Sequence, residues 1–215
     1  MFNAILWDND GVLVDTEHLY YKATQQVLSE IGVELSLSEF IDLFMVQNKG
    51  AMELVLEKGF SKEDYENLRK RRNILYGDML RYEDITLPHV PEVLKSLLKQ
   101  VRMAIVTSSR RDHFEIIHHK TKLLPFFEFS LASGDYPASK PDPSPYLCAL
   151  DMLGLPPNEV LVIEDSRRGL LAAKGAGLKC AVIPNQYSIK SDLSEADWNL
   201  GSIENVPELV LNCKN

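Results

Sequence analysis

The sequence predicts an α/β protein, with a doubly wound parallel sheet and an all-helical cap inserted after the first strand. A short apolar run, Ala4–Trp7, stops at an Asp- and Gly-containing turn and is typical of a buried strand. The second half of the chain alternates between such runs and helical spacing, which indicates a parallel sheet covered by helices. No β-rich run appears between Thr16 and Tyr82, so we expect this segment to be helical. The first strand must then join the sheet across it, with residues 1–16 and 83–215 forming the core and residues 17–82 the cap.

The cap helices are predicted from apolar residues at helical spacing and from residues that start or stop a helix. Gly32 and Gly59 are stop signals, and serines precede the second and the fourth helical stretches as N-caps. The fourth stretch has acidic residues early and basic residues late, an order that suits the helix dipole. The helices are expected over residues 18–31, from Ser36 or Ser38 to Phe44, over residues 51–58, and from Ser61 toward Arg81.

The core is predicted to continue with four strands and four helices in alternation. Pro91 suits the first turn of a helix, and Gly154 and Gly177 each follow a helical stretch as a stop. The strands are expected over residues 103–106, 129–132, 160–163 and 179–183, and the helices over residues 90–98, 111–120, 144–153 and 166–176.

Two acidic residues, Asp8 and Asp10, follow the first predicted strand at the edge of the sheet where ligands bind in α/β proteins. Their carboxylates would repel each other unless a cation lies between them, and Mg²⁺ prefers such oxygen ligands. An ionised Asp beside a metal can also attack phosphorus and carry an aspartyl-phosphate. The alternative is a simple polar turn, since Asp-Gly pairs often do no more than reverse the chain.

Two further strand ends carry groups that can hold a phosphate. Thr107 and Ser108 follow the second strand, where a hydroxyl and backbone amides can bind phosphate oxygens, although an ordinary helix N-cap fits as well. Lys140 precedes Pro141, which restrains its loop, so its ammonium group could neutralise phosphate charge at a fixed position. A lone lysine is otherwise most often a solvated surface charge.

A fourth strand end carries Glu164 and Asp165 directly after four apolar residues. Two consecutive acids next to a buried strand are costly unless a metal or another charge compensates them. The alternative is a helix N-terminus, where acids interact favourably with the dipole. Taken in order, the four strand ends form the set expected of a metal-assisted phosphoryl-transfer site.

These four segments also resemble the four motifs of the haloacid dehalogenase superfamily, in the branch that includes β-phosphoglucomutase and many small phosphatases. The matching segments are DNDGVLVDTE, IVTSS, SKPDPSPY and VIEDSRRGLLAAKGAG, in the family's usual order. The resemblance implies that Asp8 is the nucleophile and Asp10 the general acid and base. It implies a Mg²⁺ ion bound by the Asp8 carboxylate, the Asp10 carbonyl and the Asp165 carboxylate, with Glu164 as a further ligand or next to the ligands.

The resemblance also implies a phosphate clamp made of Thr107, the Ser108 amide and Lys140. By the same resemblance, the acid at position 10 implies phosphate esters as substrates, because relatives that cleave carbon–halogen or carbon–phosphorus bonds do not keep an acid there. β-Phosphoglucomutases carry a cap arginine shortly after a Lys-Gly pair, but no arginine follows Lys49-Gly50 here. We therefore expect a phosphatase for a small phosphorylated metabolite, with a sugar-phosphate mutase or a phospho-accepting signalling domain as alternatives. The expected substrate-facing cap loop, or else an exposed polar turn, consists of Gln47, Asn48 and Lys49.

Composition limits the other classes of function. The net charge of −8 argues against a nucleic-acid surface, which needs a basic face. No apolar run approaches the length of a membrane span, and the N-terminus does not resemble a signal peptide. The three cysteines are widely spaced and form no CxxC pair, which suggests reduced thiols. We expect a cytoplasmic protein, and a monomer.

Overall fold

The computed structural model describes residues 1–47 and 49–212, and a six-stranded parallel sheet lies at its centre. The strand order is β3-β2-β1-β4-β5-β6, and each neighbouring pair is parallel. The chain therefore leaves β1 first toward one side of the sheet and later toward the other, as in a doubly wound fold. The strands are β1 (Ala4–Trp7), β2 (Arg102–Arg110), β3 (Ser130–Ser133), β4 (Val160–Glu164), β5 (Lys179–Val182) and β6 (Trp198–Asn199).

Nine α-helices surround or precede these strands in the described part of the chain. Every helix there is too short or too polar to cross a membrane. The helices are α1 (Glu17–Ser29), α2 (Leu37–Ile41), α3 (Glu53–Glu57), α4 (Lys62–Tyr82), α5 (Val90–Leu97), α6 (Arg111–Thr121), α7 (Ser144–Leu153), α8 (Arg167–Gly175) and α9 (Val206–Asn212). A π-helical turn, Asp42–Val46, continues directly from α2.

The side chains of β1 alternate between two hydrophobic layers, because successive residues of a strand point to opposite faces. Ile5 and Trp7 belong to the layer covered by α5, α6 and α9. Ala4 and Leu6 belong to the layer covered by α7 and α8. All four residues are fully buried. Burying each large side chain contributes roughly 1.5–3 kcal/mol, so the centre of the sheet is the rigid support for the loops at its ends.

Helices α1 to α4, which we call the helical insert (residues 17–82), lie between β1 and the rest of the sheet in sequence. The insert has its own apolar cluster, which includes Phe40 and Val55. A smaller cluster joins it to the core, where Leu19 and Leu80 pack with Ile117 of α6. The described residues between Thr16 and Glu83 contain no strand, as the sequence predicts.

The predicted fold class is confirmed, and most predicted elements lie within a few residues of the observed ones. Ser36 and Ser61 are both N-caps of the capping-box type. The prediction misses β6 and α9, because a two-residue strand and a seven-residue helix carry little periodic signal. The predicted strand over residues 103–106 is too short, since β2 continues to Arg110 with a register shift after Val106.

Candidate active site

The loop after β1 holds Asp8 and Asp10 at the carboxyl edge of the sheet. The Asp8 amide donates to the carbonyl of Ile163 at 2.9 Å, which extends the β1–β4 ladder as far as the acid. Gly11 follows with φ at +81°, and a Cβ atom there would lie 2.4 Å from Asp165 Oδ2. Only glycine allows both this backbone conformation and this approach, so Gly11 places the loop directly against Asp165.

Three buried acids at this edge can supply oxygen ligands to one metal ion. Asp8, Glu164 and Asp165 each offer an oxygen within 4.8 Å of the others. Burial, followed by the charge of Glu164, raises the pKa of Asp8 to about 7. Burial and the charge of Glu17 raise the pKa of Asp165 well above its ordinary value. A cation would relieve this repulsion, and a donor set made only of oxygens fits a hard divalent ion such as Mg²⁺.

Lys140 is the cation that the structure itself supplies to this group. Its Nζ donates to Asp8 Oδ1 at 2.7 Å, to Glu164 Oε1 at 2.6 Å and to the Val106 carbonyl at 2.8 Å. Its side chain is only 2% exposed. Burial by itself would lower the pKa of Lys140, but the charges of Asp8 and Glu164 outweigh burial and raise it. The structure thus brings Lys140 beside Asp8, although 132 positions separate them in sequence.

Glu164 is held in place by protein groups on both carboxylate oxygens. Oε1 accepts from Lys140 and, at 2.6 Å, from the hydroxyl of Tyr146, while Oε2 accepts from Ser166 Oγ at 3.1 Å. The Glu164 side chain packs against the first turn of α8, where a Cβ atom on Gly169 would come within 1.9–2.0 Å of the Glu164 carboxylate. These contacts favour a supporting role, in which Glu164 orients Lys140 beside the acids that face the cavity.

Replacing Gly169 with alanine should therefore destabilise the protein by roughly 2–4 kcal/mol, because the added methyl group overlaps a fully buried carboxylate. Gly77→Ala is the matched control, since Gly77 also lies inside a helix and its Cβ atom would have no neighbour nearer than 3.6 Å. The control should gain about 0.5–1 kcal/mol from helix propensity. Urea unfolding would measure both changes, and equal stability of the two variants would contradict the proposed packing of Glu164.

Asp10 makes a separate set of hydrogen bonds. Thr16 Oγ1 donates to its Oδ1 at 2.5 Å, and Ser109 Oγ donates to its Oδ2 at 2.6 Å. Thr107 Oγ1 is 3.2 Å from the same Oδ2 and also accepts from the Ser109 amide at 3.0 Å. The hydroxyls at the C-terminal end of β2 therefore hold Asp10, and they are not a helix N-cap, because Arg110 occupies the N-cap position of α6.

A cavity of about 350 Å³ opens above these residues, between the core and the helical insert. It is lined by the predicted residues Asp8, Asp10, Thr107, Ser108, Lys140 and Asp165. The insert contributes aromatic, charged and amide side chains that sequence reasoning did not assign to the site. Those on the insert are Glu17, Tyr20, Phe40, Phe44, Arg69, Arg72, Asn73 and Tyr76.

The predicted substrate-facing loop is not among the described lining residues. Gln47 is exposed and donates to Asp42 Oδ2 at 2.6 Å, and Lys49 is exposed as well. Asn48 lies outside the described residues. A contact between this loop and a substrate stays a prediction, whereas α1, α2, the π-helical turn and α4 form the insert's side of the cavity.

Comparison with known proteins agrees with this geometry. The profile of the haloacid dehalogenase-like hydrolase family matches residues 5–183, which includes all four strand-end segments. The chain belongs to this family. It is therefore an enzyme of a hydrolase family, as the resemblance of its motifs implies.

Two relatives match nearly the whole chain. Protein CbbY of Rhodobacter capsulatus is 29% identical, with 96% of this chain and 98% of that protein covered. The phosphorylated carbohydrates phosphatase of Thermotoga maritima is 30% identical, with coverages of 97% and 96%. Among solved structures, CbbY of Rhodobacter sphaeroides in complex with phosphate superposes with a TM-score of 0.83 at 25% identity, and 96% of each chain is covered.

Two further groups at the family's first motif, the buried His118 and the half-buried Glu17, were not predicted. His118 of α6 lies 2.9 Å from Asn9 Oδ1 through its Nε2, directly behind the loop that carries Asp8 and Asp10. Burial lowers the pKa of His118 to about 4, so the ring is neutral at pH 7. Glu17, at the start of α1, has its pKa raised to about 8 by burial and by the charge of Asp10. The sequence signal for Glu17 was available, because it ends the DNDGVLVDTE motif.

Proposed function

We propose that this chain is a Mg²⁺-dependent phosphatase that hydrolyses a small phosphorylated metabolite through an aspartyl-phosphate on Asp8. The observation that carries the proposal is the contact of Asp8 with Lys140, beside Asp165 and at the base of a cavity. This arrangement leaves an ionisable carboxylate next to positive charge in a buried site, where a nucleophile and a phosphate could meet. The family and the phosphatase among the relatives support the same reaction.

The metal in this proposal is held by the carboxylates of Asp8 and Asp165 and by the backbone carbonyl of Asp10. When bound, Mg²⁺ would neutralise negative charge on the phosphoryl oxygens and help to position the phosphate beside Asp8. Glu164 is not a metal ligand in this proposal. It stabilises the ligand set indirectly, through its hydrogen bonds with Lys140, Tyr146 and Ser166.

In the first step, a carboxylate oxygen of Asp8 attacks phosphorus, and the bond from phosphorus to the ester oxygen breaks. Asp10 gives its proton to the departing alkoxide, which leaves as an alcohol. Thr16, Ser109 and Thr107 hold the Asp10 carboxyl in position for this transfer. Lys140 and the groups at the C-terminal end of β2, including the Ser108 amide, balance the negative charge that spreads over the phosphoryl oxygens.

In the second step, Asp10 takes a proton from a water molecule, which attacks the phosphorus of the aspartyl-phosphate. The bond between phosphorus and Asp8 breaks, inorganic phosphate is released, and the Asp8 carboxylate is restored. Residues 17–82 act in this proposal as a cap over the core residues 1–16 and 83–215, and the cap limits the access of other water molecules. Contact of the substrate with Gln47, Asn48 and Lys49 remains part of this proposal.

We further propose that the enzyme acts in the cytoplasm as a monomer. The two described cysteines, Cys148 and Cys180, are free thiols, which suits a reducing compartment.

A phosphate-release assay over a panel of small phosphate esters tests the proposal. With Mg²⁺ present, at least one ester should release inorganic phosphate, and EDTA should reduce the rate by at least about a hundredfold until Mg²⁺ is restored. Undiminished hydrolysis in EDTA would contradict the metal assignment. Conversion of one phosphorylated isomer to another, without free phosphate, would instead identify a sugar-phosphate mutase.

A further inference from the structure

Asn9 lies between Asp8 and Asp10, but it faces away from the cavity that those two acids line. Along the chain it continues the alternation of Ile5 and Trp7, which belong to the apolar layer beneath α6. Asn9 is fully buried, and it is not among the described residues that line the cavity. A primary amide is therefore buried on the far side of the loop, where its polar atoms need partners.

The two ends of the Asn9 amide contact different partners. Nδ2 donates to Asp10 Oδ2 at 3.3 Å, and Oδ1 lies 2.9 Å from Nε2 of His118 on α6. The Asp10 carboxylate can only accept hydrogen bonds, so the amino end of Asn9 must face it and the carbonyl end must face His118. Nε2 of His118 must then carry a hydrogen atom, because a carbonyl oxygen only accepts.

His118 is also fixed on its other sides. The ring is buried, its centroid lies 4.3 Å from that of Phe114, and its Nδ1 lies 3.4 Å from Thr121 Oγ1. Burial lowers the pKa of His118 to about 4, so the ring is neutral at pH 7 and holds a single N–H hydrogen. With that hydrogen on Nε2, Nδ1 can accept from the Thr121 hydroxyl. The hydrogen bonds therefore all point in one direction, from Thr121 toward Asp10.

The described hydrogen bonds to the Asp10 carboxylate differ in how firmly they fix it. The amino group of Asn9 is coplanar with its carbonyl, and His118 holds that carbonyl, so the N–H that meets Asp10 keeps one direction. The other described donors are hydroxyl groups, which can rotate about their C–O bonds. They belong to Thr16, Thr107 and Ser109.

Packing alone does not require a polar pair at positions 9 and 118. Apolar side chains would fill the same space without removing polar groups from water, and replacing both partners of a buried hydrogen bond by apolar groups can be nearly neutral for stability. A directed contact with Asp10 does require a donor at position 9, and that donor needs a partner such as His118 to fix it.

We propose that Asn9 and His118 position the Asp10 carboxyl group for proton transfer, Asn9 by direct contact and His118 by fixing the Asn9 amide. This inference rests on the proposed function and assigns two positioning residues to the same reaction. A proton donor must lie within hydrogen-bond reach of the leaving oxygen. Without His118 the Asn9 amide and the Asp10 carboxyl group can turn, so proton transfer to the departing alkoxide should slow.

Two esters of similar size separate this proton transfer from the rest of the reaction. p-Nitrophenyl phosphate has a leaving group that departs readily as an anion, whereas benzyl phosphate releases an alkoxide that needs a proton. The ratio kcat/KM covers only the steps up to release of the alcohol, so hydrolysis of the aspartyl-phosphate does not affect it. His118→Leu should lower kcat/KM about tenfold for benzyl phosphate and at most about threefold for p-nitrophenyl phosphate. Equal losses for the two esters would indicate a merely structural role and would overturn the inference.

His119→Leu is the matched control, since His119 is the exposed neighbour of His118 on α6. It should leave kcat/KM for both esters within about twofold of the unmodified protein. His118→Gln, whose amide can donate near the position of Nε2, should restore part of the activity with benzyl phosphate. Failure of this rescue, with a loss as large as that of His118→Leu, would contradict the role of the donated hydrogen bond.

The double variant Asn9→Leu, His118→Leu keeps the test independent of misfolding, because it leaves neither partner buried and unsatisfied. It should show the same loss with benzyl phosphate as Asn9→Leu alone, since His118 acts through Asn9. Losses that multiply in the double variant would mean that His118 acts by another route, and they would contradict the inference.

Nitrogen NMR of the histidine rings tests the arrangement without turnover. At pH 7 the His118 ring, assigned by comparison with His118→Gln, should be neutral and should carry its hydrogen on Nε2. A hydrogen on Nδ1 would overturn the inference, because the Asn9 carbonyl would then have no donor in His118. Absence of phosphate release with every ester would contradict the proposed function, whereas equal losses for the two test esters would contradict only the positioning role of Asn9 and His118.

Discussion

Replacing Asp8 with asparagine is expected to lower the rate of phosphate release by at least roughly 10⁴-fold, because the amide cannot act as the nucleophile. Asparagine keeps the size of the side chain and one oxygen that can face Lys140. The pKa of Asp8 is raised to about 7, so ionisation of this acid opposes folding at higher pH, and its neutral replacement should not unfold the metal-free protein. Phosphate release with Mg²⁺ and a thermal unfolding curve would measure the two effects.

Asp151→Asn is the control for this substitution. Asp151 is an exposed residue of α7, and the same chemical change there should leave phosphate release within about twofold of the unmodified protein. If Asp8→Asn retained more than about a tenth of the activity while folded, another residue would have to be the nucleophile.

Replacing Lys140 with methionine should have the second-largest effect. Methionine fills a similar volume but removes the positive charge that contacts Asp8 and Glu164 at 2.7 and 2.6 Å. We expect phosphate release to fall by about 10²–10³-fold, the usual cost of losing one group that stabilises transition-state charge. We also expect the metal-free protein to lose about 3 kcal/mol of stability at pH 8, since two buried carboxylates lose their counter-charge.

The stability loss of Lys140→Met should depend on pH in a defined direction. In the unmodified protein the pKa of Asp8 is about 7 in the folded state, above its value in the unfolded chain. Ionisation of Asp8 therefore lowers the free energy of unfolding as the pH rises, and this decrease ends above about pH 7. Without Lys140 the pKa of Asp8 rises further, so the free energy of unfolding continues to decrease at higher pH. The difference in unfolding free energy between the two proteins, measured in EDTA, should therefore be larger at pH 8 than at pH 6.

Lys95→Met is the matched control for both readouts, because Lys95 is exposed on α5. It should leave phosphate release unchanged and should show no difference in stability between pH 6 and pH 8. A stability loss for Lys140→Met that was the same at both pH values would mean that Lys140 does not interact with ionised Asp8 and Glu164 in the folded protein.

The parts of the site that follow strands were predictable, because topology alone brings the carboxyl ends of parallel strands together. Asp8 directly follows β1 and Asp165 directly follows β4, the neighbouring strand, and an apolar run identifies each strand. Lys140 has no such strand before it, and its place depended on the restrained loop and on the resemblance to a known family.

The parts of the site that lie on helices were not predictable from local pattern. Arg72 follows three other basic residues, and such a run is typical of the solvated end of a helix. Its burial results from Tyr20 of α1 and Thr24, which lie 48 or more residues earlier in the chain. His118 likewise carries no signal of its contact with Asn9, because 109 positions separate the two residues. Such contacts depend on the packing of whole elements, which periodicity does not determine.

Chemical trapping of the intermediate is the most direct test of the proposal that Asp8 carries the phosphoryl group. The enzyme would be mixed with Mg²⁺ and its best ester, quenched during turnover, and treated with borohydride, which reduces an acyl phosphate on aspartate to homoserine. Mass spectrometry of the N-terminal peptide should show homoserine at position 8, only when substrate is present and not in Asp8→Asn. An unmodified Asp8 in enzyme that is releasing phosphate, or homoserine at another position, would contradict the account.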